Sequence, residues 1–425
     1  MKRKIVVQGP VFSVSGYGEQ ARLALRALRT REDLFDIYVF PINWGKTGWQ
    51  SKITEERAWI DELVMKTALY ASNGGKFDVS LQITIPNEWT KMAPVNIGYT
   101  AGIETTQISP QWIEKSRLMD RIIVVSEHSK NVYENTVYEA RNRNNGEIHA
   151  FKCETPIDVV PFNFKDIKPD SSFKFNLDYD FNYLTVSQWS TRKNLENTIR
   201  WFLEECYDQE VGLVVKASMT GNSIPDRYAT VARLTEQISR FDNENKNLNR
   251  KCKVYLLHGD LTESQIQSLY KHPKIKSYVS LTHGEGFGLP LFEAAYNGLP
   301  IITPGWSGHL DYLYVPVETK DSFSYKELFQ EVDYTLGPIQ KEAVWKGVLE
   351  AHSHWCYPIE SSYKMALREI RKDYKSALKK AKILKKHIRE NYSADSVNER
   401  FIESLVAAIE PHGTTELDLE SVMVL

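Results

Sequence analysis

The 425-residue chain is two to three times the usual size of one domain, which predicts two domains, each able to bury its own core. Hydrophobic residues make up 42% and charged residues 25%, with a formal net charge of −2, so the composition is that of a globular protein and excludes nucleic-acid binding driven by bulk charge. No apolar run reaches the roughly 18 residues of a membrane span, "MKRKIVVQGP" has too short an apolar core for a signal peptide, and four scattered cysteines form no C-x-x-C pair; a cytoplasmic protein with buried free thiols is expected.

The chain opens with "KIVVQGP", a β-branched run ended by Gly-Pro, and "EQARLALRALR" follows with apolar positions at helical spacing. The loop between them, "GPVFSVSGYGEQA", offers Gly16 and Gly18 for close approach to a ligand and fits G-x-G-x-x-A, a dinucleotide fingerprint. The context of that fingerprint fails, because Gly16 does not follow the strand directly and Asp36 precedes "IYVF" instead of ending it. Further short apolar runs at "LFDIYVFPI", "FDVSLQITI", "VNIGYTA" and "RIIVVSE" alternate with polar or helical stretches, the pattern of a mainly parallel sheet covered by helices.

Residues 141–182 are polar and aperiodic, as domain connections tend to be, and the boundary is expected near residue 170. Alternation restarts at "FNYLTVSQ", "VGLVVKAS", "KVYLLHG", "IKSYVSLT" and "LPIITP". The expected fold is therefore α/β, with two doubly wound Rossmann-like domains (1–170 and 171–361) facing a cleft, and C-terminal helices with a short tail (362–425).

In "SQWSTRKNLENTIRWF" a strand ends at Ser187 and a helix begins near Leu195, so Arg192 and Lys193 face the strand-end mouth, and Lys216 ends the next strand. "LLHGDLTESQ" ends a third strand at His258-Gly259, with a capping-box pattern at Thr262 and Gln265. "HGEGFGLPLFEAAYNG" reads as glycine turn then helix: Gly286 and Gly288 remove side-chain obstruction and Pro290 suits a first helical turn. Free amides at such a helix start suit an anion, and Glu285 on the loop and Glu293 one turn into the helix can both reach one bound molecule bearing hydroxyls. The segment 363–390 places Leu367, Ile370, Tyr374, Leu378, Ala381, Leu384 and Ile388 on one stripe, predicting a single long amphipathic helix whose other positions carry eleven Lys or Arg residues. The tail after residue 411 is expected to fray.

From "LLHGD" through "PGWSGHLDYL" the sequence resembles the nucleotide-sugar half of retaining glycosyltransferases of the two-domain GT-B fold, the family-4-like group with its E-x7-E motif; residues 1–135 resemble the other half in layout. The resemblance implies a nucleoside diphosphate sugar donor, UDP-linked in most of the family, with no metal. It assigns Glu293 to the ribose hydroxyls, Glu285 to the donor sugar, the amides of Phe287, Gly288 and Leu289 to sugar and phosphate, and Arg192 and Lys193 to the leaving diphosphate. Gln188 stands where many relatives carry an arginine, a role Arg192 can take over. Lys216 and His258 are further donor-side candidates, and Gly308 and Asp311 lie on a loop resembling the one that closes over the donor.

In the acceptor loop "VNIGYTAGIETTQISPQW" many relatives carry a histidine; here the polar candidates are Glu104, Thr105 and Thr106, with His128 the nearest histidine. "GPVFSVSGYGEQARLALRAL" and "VFPINWGKTGWQ" are similar to glycosyltransferases carried by tailed bacteriophages, which implies a hydroxymethylated base of phage DNA as acceptor and the host cytoplasm as location. Arg371, Lys372, Lys375, Lys379, Lys382 and Lys386 would then hold the phosphate backbone. The alternatives are a glycan or lipid-linked acceptor, with Trp44, Trp49 and Trp112 suited to sugar stacking, or a nucleotide-sugar epimerase of the same fold.

Overall fold

The computed structural model describes residues 2–45, 47–141, 148–219, 221–318 and 323–410. In the N-terminal half the elements are β1 (Arg3–Gly9), α1 (Gly16–Arg29), β2 (Phe35–Pro41), α2 (Glu55–Ser72), β3 (Val79–Ile83), β4 (Val95–Tyr99), α3 (Pro110–Ser116), β5 (Arg121–Val124), α4 (Glu127–Asn135), a hairpin of β6 (Val137–Arg141) and β7 (Ile148–Lys152), and β8 (Ile157–Val159). Six of these strands form a parallel sheet in the order β2-β1-β3-β4-β5-β8. Ile5, Val6, Val7, Leu81, Ile83 and Ile97 are fully buried, as continuous apolar strands must be when helices cover both sheet faces.

The C-terminal half runs through β9 (Asn182–Gln188), α5 (Leu195–Cys206), β10 (Gly212–Ser218), α6 (Ile224–Glu244), β11 (Lys253–Leu257), α7 (Glu263–Tyr270), β12 (Ile275–Val279), α8 (Leu289–Asn297), β13 (Ile301–Pro304), α9 (Leu310–Leu313), β14 (Tyr314–Glu318), β15 (Phe323–Glu327), β16 (Gln330–Val332), β17 (Tyr334–Pro338), β18 (His354–Pro358), α10 (Glu360–Lys372), α11 (Tyr374–Asn391) and α12 (Ala394–Ile409). Its parallel sheet has the order β11-β10-β9-β12-β13-β16. In each half the chain leaves one strand in one direction and later returns on its other side, giving switch points between β1 and β3 and between β9 and β12. Crevices open at such points beyond the carboxyl ends of the strands.

The expected single helix over 363–390 is two helices, broken at Asp373 (φ −128°, ψ 62°), whose carboxylate caps the second through the Ser376 N–H at 3.1 Å. The physical reason is that the apolar stripe serves two neighbours. Tyr363, Leu367 and Ile370 of α10 join the core under α5, whereas Leu384 and Ile388 of α11 join the core under α8. α12 then packs on α1 and β4, with Phe401 5.7 Å from Tyr99 and Ser404 Oγ donating to Asp158 Oδ2 at 2.5 Å, so this helix returns to the first domain.

The polar connection read over 141–182 also contains β7 and β8; residues 142–147, and the tail expected to fray after 411, lie outside the described residues. Another unforeseen element is a strap formed by β17, β18 and the loop joining them. It ties the halves together: His354 O accepts from Thr106 N (2.9 Å), His354 N donates to Thr106 Oγ1 (3.0 Å), Glu350 accepts from Ser109 Oγ (3.0 Å), and Gly347 O accepts from Asn87 Nδ2 (2.8 Å).

Candidate functional site

The crevice at the β9/β12 switch point is lined by two strand-end loops stitched to each other. Asn194 adopts a left-handed conformation (φ 50°), tolerable for an asparagine, and its Nδ2 donates to Leu281 O at 3.1 Å, while His283 N donates to Arg192 O at 2.8 Å. The turn Thr191–Lys193 thereby presents its cations to the loop before α8. Lys193 Nζ lies 2.5 Å from Glu285 Oε1, and Arg192 Nη1 lies 3.2 Å from Glu285 Oε2 and 2.7 Å from Gly284 O. Across the cleft, Arg192 Nη2 is 3.3 Å from Glu104 Oε1. The four residues Arg192, Lys193, Glu285 and Glu104 therefore meet at one point.

Glu285 is buried, which alone would push its carboxyl up, but the Lys193 ammonium and Arg192 guanidinium overcome burial and hold it near about 2. Burial pushes the Lys193 ammonium down despite Glu285, whereas Glu104 and Glu285 outweigh burial for Arg192 and strengthen its hold on the proton. Glu293 behaves oppositely. Burial raises its carboxyl to about 7, even though Tyr270 Oη donates to Oε2 at 3.0 Å. Lys216 at the end of β10 is within electrostatic reach of Glu293 and of Asp260, and burial lowers its ammonium. His258, just after β11, is likewise lowered by burial among Asp226, Arg227, Lys216 and Asp260, and its Nε2 is buried without a hydrogen-bond partner.

The glycines have a purpose beyond ligand access. A Cβ on Gly286 would lie 2.0 Å from Ala101 O, and one on Gly284 2.3 Å from Glu104 O, so both let the loop abut the backbone of the N-terminal half. Gly308 is pressed in turn against Gly286 O, 1.9 Å from where its Cβ would stand. Gly288 is needed for its conformation, φ +81° at the cap of α8, with Pro290 in the first turn after it. Phe287 turns its ring into the core among Phe162, Phe292 and Tyr312, and Leu289 begins the helix.

On the facing wall Ser15 caps α1 by accepting from Gly18 N at 3.1 Å. Gly16 has open space around it, while Gly18 packs against Ser13 O, 2.0 Å from its would-be Cβ. Tyr17 packs its ring, tilted by 39°, against Trp44 with centroids 4.3 Å apart, bonds Thr100 Oγ1 at 2.8 Å, and has its phenol raised by burial, with Glu104 and Glu88 adding to the effect. Thr105 donates to Gln107 O and Thr106 bonds the strap, so of the acceptor-loop candidates only Glu104 turns to the cations. His128 sits in the seam between halves, 5.1 Å from Trp306, and burial with His309 nearby lowers it to about 4. Asp311 Oδ2 accepts from Glu127 N at 2.7 Å in the same seam.

Sequence reasoning missed His283, whose Nδ1 donates to Cys356 O at 2.6 Å while its ring stacks on Trp355 at 4.9 Å, anchoring the strap to the glutamate loop. It missed Glu19, Lys165 and Glu263 as well. The signal for Glu19 was available, an acidic residue in a first helical turn of a glycine loop, but its partners are distant in sequence. Among the described residues no group of three or more His, Cys, Asp or Glu side chains is placed to hold a metal ion, and no described helix is long and apolar enough to cross a membrane.

No family model matches the chain, and comparison with curated proteins gives no match. Solved structures do resemble it. A sucrose-phosphate synthase from Thermosynechococcus elongatus superposes with a TM-score of 0.61 at 12% identity, covering 97% of this chain and 100% of that one. HepE from Anabaena, in complex with UDP and glucose, gives 0.55 at 13% identity over 95% and 100%. A glycosyltransferase from Rickettsia africae gives 0.56 at 12% identity over 97% and 100%. At such identities the likeness establishes the fold, which is GT-B: two doubly wound domains facing a central cleft.

Proposed function

We propose that the protein is a retaining glycosyltransferase that moves a sugar from a nucleoside diphosphate sugar, UDP-linked, to a hydroxyl acceptor. The observation that carries this reading is the convergence of Arg192 and Lys193 on Glu285 at the β9/β12 switch point, beside the glycine-capped start of α8 and one helical turn from Glu293. A departing nucleoside diphosphate gains negative charge as the glycosidic bond breaks. Two fixed cations and helix-start amides meet that charge in the crevice, and removal of one such donor typically costs about 10²- to 10³-fold in rate. Arg192 and Lys193 supply the neutralisation that a metal would otherwise give. Glu293 accepts the two ribose hydroxyls, Glu285 accepts from the donor sugar, and Glu104, held by Arg192, faces the acceptor hydroxyl. The UDP assignment is supported by HepE, which binds UDP and glucose in the same fold.

For the acceptor, the placement of the basic helix face favours a glycan-type hydroxyl over a base of duplex DNA. Arg371 is turned inward beside Cys206, and Lys372 and Lys380 line a groove with Pro300, Ile301 and Phe329, at the strand ends opposite Arg192. A duplex gripped there would lie at the ends of the strands opposite those that Arg192 and Glu285 follow.

Isothermal titration with UDP, and mass spectrometry of products after incubation with a panel of nucleotide sugars and acceptors, test the reading. Wild type is expected to bind UDP and Glu293→Ala to bind it at least about tenfold more weakly. Equal UDP affinity in the two proteins, or no transfer and no hydrolysis across the panel, would overturn it.

A further inference from the structure

A charge network centred on the buried Glu19 crosses between the two halves behind the candidate site. Lys165, on the connection after β8, places its ammonium 2.7 Å from Glu19 Oε1 and 2.5 Å from Glu263 Oε1. Glu19 lies in the first turn of α1, beyond the Gly16 loop, and is buried; Arg22 at 3.1 Å and Arg26 at 2.5 Å also hold it. Glu263 opens α7, the helix whose last residue, Tyr270, donates to Glu293. Backbone contacts fix Lys165 in place: the preceding residue, Phe164, donates its N–H to Tyr392 O at 3.0 Å and sets its ring 6.2 Å from that of Tyr296, three positions beyond Glu293. Lys165 thus stands where the glycine loop of one half, the glutamate helix of the other and the chain joining them converge.

We propose that Lys165 is a positioning residue for the donor nucleotide: by bridging Glu19 of α1 and Glu263 of α7, the helix whose Tyr270 donates to Glu293, it holds the Glu293 carboxylate ready to accept the ribose hydroxyls when the halves are closed. This rests on the reading of Glu293 given above. The groups that face Glu293 are Tyr270 from α7, Tyr278 from β12, Tyr296 from its own helix, Lys216 from β10, Glu19 from α1, Glu263 from α7 and Lys165. Burial raises the Glu293 carboxyl first and foremost; Tyr270 and Lys165 then draw it down, and Glu19 and Glu263 push it up. Without Lys165 the Glu263 carboxylate acts unopposed from that side, Glu19 keeps only Arg22 and Arg26, and Lys216 must offset the remaining negative charge from β10.

The test is UDP affinity by titration calorimetry from pH 6 to pH 9 for wild type, Lys165→Met, Lys165→Arg and Glu263→Gln. Lys165→Met should move the pH midpoint of binding up by about one pH unit, weaken UDP roughly fivefold at pH 7 and converge on wild type to within about twofold at pH 9. Lys165→Arg should restore the wild-type profile. Glu263→Gln, a change at a mostly exposed side chain that leaves folding intact, should move the midpoint the other way and tighten UDP at pH 6. An unchanged profile in Lys165→Met, or a loss of affinity by one factor at every pH, would overturn the proposal, and should Lys165→Met not fold, an upward or absent shift in Glu263→Gln does so. Wild type that binds UDP with no pH midpoint overturns it while leaving the donor reading intact; wild type that binds no nucleoside diphosphate removes both.

Discussion

Lys193 and Glu285, ninety-two positions apart in sequence, form a 2.5 Å ion pair in a buried crevice, and Arg192 closes the same carboxylate from the other side. Breaking a buried pair by removing one partner costs about 3 to 5 kcal/mol, because the remaining charge is left uncompensated. Arg192 stays on the carboxylate when Lys193 is removed, so Lys193→Met should lower stability by less, about 1.5 to 3 kcal/mol in urea unfolding at pH 7, and lower transfer at least about 10²-fold. Glu285→Gln is expected to differ in kind: it frees both cations for a diphosphate, so UDP should bind as tightly as in wild type or tighter while sugar transfer is lost. Parallel loss of UDP binding and transfer in Glu285→Gln would place that carboxylate on the nucleotide instead.

The approach of Gly286 to Ala101 O makes a second expectation. A methyl group there would stand 2.0 Å from a backbone oxygen of the other half, and backbone cannot move aside as a flexible side chain can. Gly286→Ala should leave each half folded but hold the cleft ajar. Small-angle scattering should report a larger radius of gyration, and transfer should fall about 10²-fold with UDP affinity within about threefold of wild type. Unaltered scattering with full activity would show that closure tolerates the extra atom.

Glu293 titrates near about 7 in the closed protein, and a ribose diol is held by the ionised form. UDP affinity in wild type should accordingly rise about tenfold between pH 6 and pH 8, as the charged fraction grows from about a tenth to about nine-tenths. Glu293→Gln keeps an acceptor for Tyr270 but cannot ionise. Its UDP affinity, measured by fluorescence competition, should be flat with pH and roughly tenfold below wild type at pH 8; a profile that still rises through pH 7 would assign the titration to another group.

Much of this fold is legible because the signals are local. The central sheet strands, such as "KIVVQGP" and "LPIITP", are short apolar runs stopped by turn residues, and Arg192, Lys193 and Glu285 all follow strand ends, which is why they converge. Glu104 came instead from the resemblance of its loop to the family's acceptor loop, with Thr105 and Thr106 as equal candidates. What remained hidden depends on partners far away in sequence: the short edge strands β8 and β16, the strap that reaches Thr106 through His354, and Lys165 between Glu19 and Glu263. The break at Asp373 was hidden differently, since an unbroken apolar stripe does not reveal that its halves face two separate cores.

The seam between halves supplies a final expectation, with a sign set by Asp311. Burial raises its carboxyl to about 7, the Glu127 N–H at 2.7 Å draws it down, and the Glu127 carboxylate pushes it up again. The folded state therefore binds a proton that the unfolded chain has released above the ordinary aspartate range of about 4, so stability declines as pH rises from about 4 to about 7. The Asp311→Asn side chain would keep an oxygen for the Glu127 N–H and carry no charge. Urea unfolding of Asp311→Asn should give wild-type stability at pH 4 and a gain of about 1 to 2 kcal/mol at pH 8, after allowance for solvent relaxation around a partly accessible group. Equal losses at both pH values would instead mean that the carboxylate is held charged by the α4 helix start, and that its negative charge supports the seam.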